Sequence, residues 1–354
     1  MLLSSVILLL GPAGGEARRG EAEAVLPLAP APVPAVRTPA PAARPGSPPA
    51  GVPSHSMAEA DLARQAAISA ARSWGYQLSG LAPAEAGRSP YDLLVLDATT
   101  GHAADRPFRH DEIEALKSKP DGSRRLVVSY LSIGEAEDYR SDYFTAEYLS
   151  EDAPDWLLGE NPAWKGNRLI RFCSEGWQQT ILGDGEGRNV YNSVEPAPLT
   201  RLVELGLDGV YLDRVDVYQE VAKACPDAER RMIAFVRRLA EQARRLRPDF
   251  LVILQNAEEL LARPEMIAAI DAVAKEDLFY GIDHSEKANP RSAVEESLAH
   301  LRRARAAGRP VFVVDYLQDR GKITDARRRI EAEGFIPYFA PRNLDALWIR
   351  GRNF

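Results

Sequence analysis

Little in this 354-residue chain points to metal or redox chemistry: it has two cysteines and five histidines. No HExxH, CxxC or His-rich tract is present, so a metal site has no positive support and no cofactor is expected. Cys173 and Cys225 are too few for a disulfide framework; a single bridge and two separate buried thiols are both open. Positive charge is not in excess either: 44 Lys+Arg against 51 Asp+Glu give a net charge of −7. That argues against a nucleic-acid surface, and the Arg-rich stretches 230–247 and 302–309 read as water-facing sides of amphipathic helices. No apolar run reaches the ~20 residues of a stable membrane span. Finally, Ser79-Gly80-Leu81-Ala82-Pro83 follows the first strand-like run, where a dinucleotide-binding sheet would have a glycine-rich phosphate turn.

What is present falls into three parts. Residues 1–24 open with MLLSSVILLLGP, an apolar run meeting Ala13, Gly14 and Gly15. This resembles the core of a secretory signal peptide without the preceding positive charge, and implies a secreted or periplasmic, cell-envelope location. A start at Met57 would instead leave the protein in the cytoplasm. Residues 25–56 are dominated by Pro and Ala, a composition that stays extended and cannot bury a core, so they read as a disordered linker. Residues 57–354 are expected to form one domain, for which a hydrophobic content of 45% is ample.

Within that domain, short apolar β-branched runs alternate with longer helical patterns. Strands are expected at 76–78, 93–97, 126–132, 169–172, 209–213, 251–255, 272–276 and 311–315, with a further run at 335–339. The strands lack polar alternation, as parallel strands covered on both faces do. The helix over 227–246 places Met232, Phe235, Val236, Leu239 and Ala243 at helical spacing behind Pro226. About eight such units in ~270 residues fit a (β/α)8 TIM barrel, of the α/β class, and a monomer is expected.

Almost every expected strand ends in a carboxylate, amide or tyrosine: Asp97; Tyr130 with Glu135; Asp213-Arg214; Gln255-Asn256; Glu276; Asp315-Tyr316. In a barrel these ends converge on one rim, giving an acidic pocket edged by aromatic rings. Such a pocket, without a nucleophile signature or phosphate loop, points to glycosidic bond cleavage, which needs one protonated and one ionised carboxyl. Single acids also have plainer uses. Asp208-Gly209 reads as a turn, Glu258 as a carboxylate favoured at a helix start, and Glu137 and Asp138 as solvated.

The ordered set of Ser129-Tyr130-Leu131-Ser132-Ile133-Gly134-Glu135-Ala136-Glu137-Asp138-Tyr139-Arg140, Asn161-Pro162 with Trp164, Gly209-Val210-Tyr211-Leu212-Asp213-Arg214-Val215-Asp216, Asn256-Ala257 and Glu276-Asp277-Leu278-Phe279-Tyr280 resembles glycoside hydrolase family 114, the endo-α-1,4-polygalactosaminidase-like group. The resemblance implies hydrolysis of an α-1,4-linked galactosamine-type polysaccharide, with Asp213 and Glu276 as the catalytic carboxylates. Asp97, Tyr130, Glu135, Tyr211, Arg214, Asn256, Asp315 and Tyr316 are then expected to line the substrate site. The competing expectation is a non-catalytic carbohydrate- or cell-wall-binding barrel.

Overall fold

The computed structural model describes residues 54–98, 106–140, 143–144, 148, 153–190 and 195–348. The expected export segment and linker lie outside them. The chain forms β1 (Trp74–Gln77), β2 (Leu93–Leu96) and β3 (Leu126–Ser132), then a small antiparallel excursion of β4 (Glu135–Glu137), β5 (Leu157–Glu160) and β6 (Asn167–Ile170). It returns with β7 (Gly209–Asp213), β8 (Leu251–Gln255), β9 (Ala272–Glu276), β10 (Val311–Asp315) and β11 (Ile336–Phe339). The eight barrel strands lie in the order β1-β2-β3-β7-β8-β9-β10-β11, every neighbouring pair parallel.

One expected strand is placed differently. The run at 169–172 does not enter the barrel. Its polar start, Asn167 and Arg168, pairs with Glu137 and Ala136 in the antiparallel sheet β4-β6-β5. The run at 335–339 supplies the eighth barrel strand instead.

The period-two alternation of the strands divides the core into two. Trp74, Tyr76, Leu93, Val95, Val128, Tyr130, Tyr211, Ile253, Ala274, Phe312, Val314 and Tyr338 fill the barrel interior. The intervening Leu94, Leu96, Val127, Val210, Leu212, Val252, Leu254, Val273 and Val313 pack outward with the helices. Helix 228–246 buries Met232, Phe235, Val236, Leu239 and Ala243, the stripe its sequence spaces for that purpose.

β1 and β11 adjoin without a backbone ladder. Their seam is held by side chains: the Trp74 indole N–H donates to the Ile336 carbonyl at 3.1 Å, and the Tyr338 hydroxyl to the Tyr76 carbonyl at 3.4 Å. Beyond β11 the chain folds back over β1, where the Leu344 carbonyl accepts from the Leu78 N–H at 2.8 Å.

The two cysteines are bonded, with Cα atoms 5.9 Å apart and a sequence separation of 52. A loop of that length implies ~4 kcal/mol of stabilisation in the chain-entropy view. The bridge ties the start of helix Glu175–Leu182 to the loop that follows β7. Among the described residues, no helix is long and apolar enough to cross a membrane.

Candidate active site

Extending the inward alternation past the packed interior identifies the side chains that emerge at the carboxyl ends of the strands. After Val95 comes Asp97, after Tyr211 comes Asp213, after Ala274 comes Glu276, and after Val314 comes Tyr316. Four of the expected site residues thus share one floor, built largely of tyrosine.

Asp213 accepts a hydrogen bond from the Tyr130 hydroxyl at 2.8 Å on Oδ2. No hydrogen bond reaches its Oδ1 among the described residues. Burial, with the charges of Glu276 and Asp216 nearby, pushes its carboxyl up to about 7. Arg214, next in sequence, opposes that shift only weakly because its guanidinium is engaged elsewhere. Its Nε lies 2.8 Å from Glu135, at an angle short of a hydrogen bond, and one Nη is 2.7 Å from Glu220.

Glu276 is held from two sides. The Asn256 amide donates to Oε2 at 3.0 Å, and the Tyr316 hydroxyl donates to Oε1. The Glu276 backbone N–H in turn donates to Asn256 Oδ1 at 3.1 Å, so the asparagine clamps both the backbone and the side chain of the acid. Lys275, on the outward side of β9, forms an ion pair with Glu258 at 3.0 Å; Glu258 also accepts from the Ser297 hydroxyl at 2.6 Å.

The other expected residues are distributed around this pair. Asp97 is buried and bound to Arg140 at 2.9 Å, which also meets Glu137 at 2.6 Å. Glu137 is 1% exposed, not solvated, and the hydroxyls of Tyr139 and Tyr130 lie 2.7 and 3.3 Å from its Oε1. Asp97 therefore connects to Asp213 through Arg140, Glu137 and Tyr130. Burial raises the Glu137 carboxyl even against the adjacent guanidinium. Glu135 lies behind Arg214, accepting from Asn161 at 2.6 Å and Asn167 at 2.9 Å. Asp138 is exposed, as expected, beside Gly166.

Asp315 is set apart. It has the outward parity of β10, is fully enclosed, and accepts from the Leu278 N–H at 2.8 Å. It shapes the loop after Glu276 rather than facing the space beside it. Trp74 is likewise core, stacked in the barrel interior with Tyr76 and Tyr211. Glu137, Arg140, Asp216 and Asp277 were not among the expected binding residues. Asp277 is bound to Arg342 at 2.9 Å, yet burial still lifts its carboxyl to about 7.

The backbone at this rim is strained. Arg214, Asn256, Ala257 and Asp277 all have φ between 50° and 56°, a left-handed conformation that non-glycine residues rarely adopt. Each directly follows, or lies within two residues of, the end of β7, β8 or β9, where the turn redirects side chains toward one site. Gly134 has a related reason: a Cβ there would collide with the Arg214 carbonyl oxygen.

A glycoside hydrolase family GH114 model matches residues 55–353. The chain belongs to family GH114. An uncharacterized protein of Deinococcus radiodurans is 32% identical to this GH114 chain over 289 residues, covering 80% of it and 85% of the relative. An uncharacterized protein of Methanocaldococcus jannaschii is 29% identical, covering 78% and 79%. In fold, the chain is similar to the glycoside hydrolase domain of PelA from Pseudomonas aeruginosa, with TM-score 0.58, 23% identity, and 78% and 97% of the two chains covered. It is also similar to Aspergillus fumigatus Ega3 in complex with galactosamine, with TM-score 0.56, 18% identity, and 77% and 92% covered. These two likenesses concern the barrel.

Proposed function

We propose that this GH114 protein is an exported endo-glycosidase that cleaves α-1,4-linked galactosamine polymers, using Asp213 and Glu276. One observation carries the reading: two carboxyls rise from the same floor, and the charge of Glu276 helps push Asp213 up to about 7. Carboxyls coupled in this way do not both ionise readily, so near neutral pH the two share one proton, and the acid role falls to Glu276 in the form in which Asp213 is ionised.

The surroundings divide the labour. Asp213 has one oxygen anchored by Tyr130 and the other without a donor among the described residues; in its ionised form, favoured above about pH 7, it suits attack on the anomeric carbon or activation of water. Glu276 acts as the acid and then the base. Tyr316 serves both of its protonation states, because a tyrosine hydroxyl donates as well as accepts. Acid excess at the rim favours a cationic amino sugar. The Cys173–Cys225 bridge suits an oxidising, extracytoplasmic setting.

The test is release of reducing ends from α-1,4-linked galactosamine polymer by the purified full chain. Activity lost in Asp213→Asn and Glu276→Gln supports the reading. Wild-type activity in both variants overturns the assignment. Polymer binding that survives both substitutions, with no ends released by any form, would make the protein a wall-binding module instead.

A further inference from the structure

Of the buried polar atoms that have no hydrogen-bond partner among the described residues, two belong to side chains on the inward face of the barrel: the Tyr211 hydroxyl oxygen and Gln255 Oε1. Tyr211 is 1% exposed and Gln255 3%. Leaving such groups unpaired in a folded interior is costly, so their presence at a cleft calls for a partner from outside the chain.

Their placement says where that partner sits. Leu212 pairs with Leu254 across β7 and β8, which puts Gln255 level with Asp213 on the inward side. On its other flank Gln255 pairs with Ala274, two residues below Glu276 on the same face. Ala272 and Ala274, on the inward side of β9 beside Gln255, contribute only methyl groups. The Tyr211 hydroxyl lies within electrostatic reach of both Glu276 and Asp213.

The chemistry of the partner follows from what surrounds it. Gln255 Oε1 can only accept, and the two carboxylates favour a donor that carries positive charge. The nearby cations are already committed, Arg214 to Glu135 and Glu220, and Lys275 to Glu258. A protonated amine has three N–H donors for an amide oxygen, a phenol oxygen and a carboxylate. A hydroxyl has one donor, and an acetamido group has one donor and no charge.

We propose that Gln255 Oε1 and the Tyr211 hydroxyl bind the protonated amine of the sugar at the point of cleavage, making Gln255 a specificity-determining residue for amino sugars. This rests on the glycosidase reading above.

The experiment measures binding of galactosamine, galactose and N-acetylgalactosamine to the full chain by calorimetry, for wild type, Gln255→Leu, Gln255→Glu and Tyr211→Phe. Wild type is expected to prefer galactosamine. Gln255→Leu should lose about 10- to 100-fold of that preference while galactose binding changes little. Gln255→Glu, which keeps an acceptor of similar size, should retain it. A purely structural role would weaken all three sugars alike and leave the ratio untouched. Equal binding of the three sugars by wild type, or an unchanged ratio in Gln255→Leu, overturns the proposal and leaves water as the occupant. If Gln255→Leu fails to fold, Tyr211→Phe and Gln255→Glu decide by the same ratio. Polymer cleavage with an unaffected ratio sinks this inference alone. An altered ratio without cleavage sinks the glycosidase reading alone.

Discussion

Strands β7 and β9 are each preceded by an acid and end in one, and the two ends are treated in opposite ways. At the start of β7, Asp208 accepts from the Val127 N–H at 3.0 Å and meets Arg124 at 2.8 Å, Arg247 at 3.2 Å and Lys117 at 3.7 Å. It is not a plain turn residue but a buried fastener. At the start of β9, Asp271 repeats the arrangement with the Val252 N–H at 2.8 Å, Arg244 at 2.8 Å and Arg64 at 3.1 Å. Five residues further along each strand stand Asp213 and Glu276, which have tyrosine and asparagine for company and, among the described residues, no ion pair of their own. Asp208 and Asp271 are buried and Asp213 and Glu276 half-buried, and their partners differ in kind. One rim of the barrel neutralises its acids and gains cohesion. The other leaves them short of positive charge, the condition that the proposed catalysis needs.

The largest expected effect lies on the reactive rim. Asp213→Asn or Glu276→Gln should lower turnover by at least ~10³-fold, equivalent to ~4 kcal/mol of barrier, with the fold intact by circular dichroism. Near-wild-type rates in either variant would remove the contrast between the rims.

Next in size is the pH dependence of stability. The ordinary Asp213 value is 3.8, and the fold raises it to about 7. Folding therefore favours the protonated form. The contribution is fully present below about pH 4 and is lost as pH rises through 7, by at most ~4 kcal/mol. Asp277 and Asp315 are also raised to about 7, so they share the same slope. Urea unfolding at pH 4, 6 and 8 should show Asp213→Asn with a flatter profile and greater stability at pH 8. A profile as steep as wild type would mean that the upper rim is not strained by charge.

On the opposite rim the sign reverses. Asp271→Ala should cost ~3 kcal/mol at pH 7, because it leaves the largely buried Arg244 without its carboxylate and Arg64 with only the exposed Asp61. Asp208→Ala should cost less, ~1–2 kcal/mol, since Arg124 is half exposed and can turn to water. Denaturation midpoints measure both, and a gain in stability from either would contradict its fastening role.

Much of this was readable in the chain before any coordinates. Apolar runs without alternation mark covered parallel strands, and an acid at the end of such a run emerges at the rim. The alternation needed to sort those acids is readable too: counting from Phe312 and Val314 sets Tyr316 inward and Asp315 outward. Taking every strand end alike grouped the two together. The antiparallel excursion was hidden because Leu169 and Ile170 are as apolar as a barrel strand, and pairing partners far along the chain decided their place. The left-handed turns at Arg214, Asn256, Ala257 and Asp277 leave no glycine to announce them. Nor does a spacing of 52 residues reveal that two lone cysteines meet.

The seam between β1 and β11 bears on how the molecule comes to exist at all. Its Trp74–Ile336 hydrogen bond joins residues 262 positions apart, and no backbone ladder zips the two strands from a nearby turn. Closing so long a loop carries an entropic cost that local contacts cannot offset early. The barrel therefore shuts last, after the final strand has been synthesised, and until then the partly made chain has an open sheet edge.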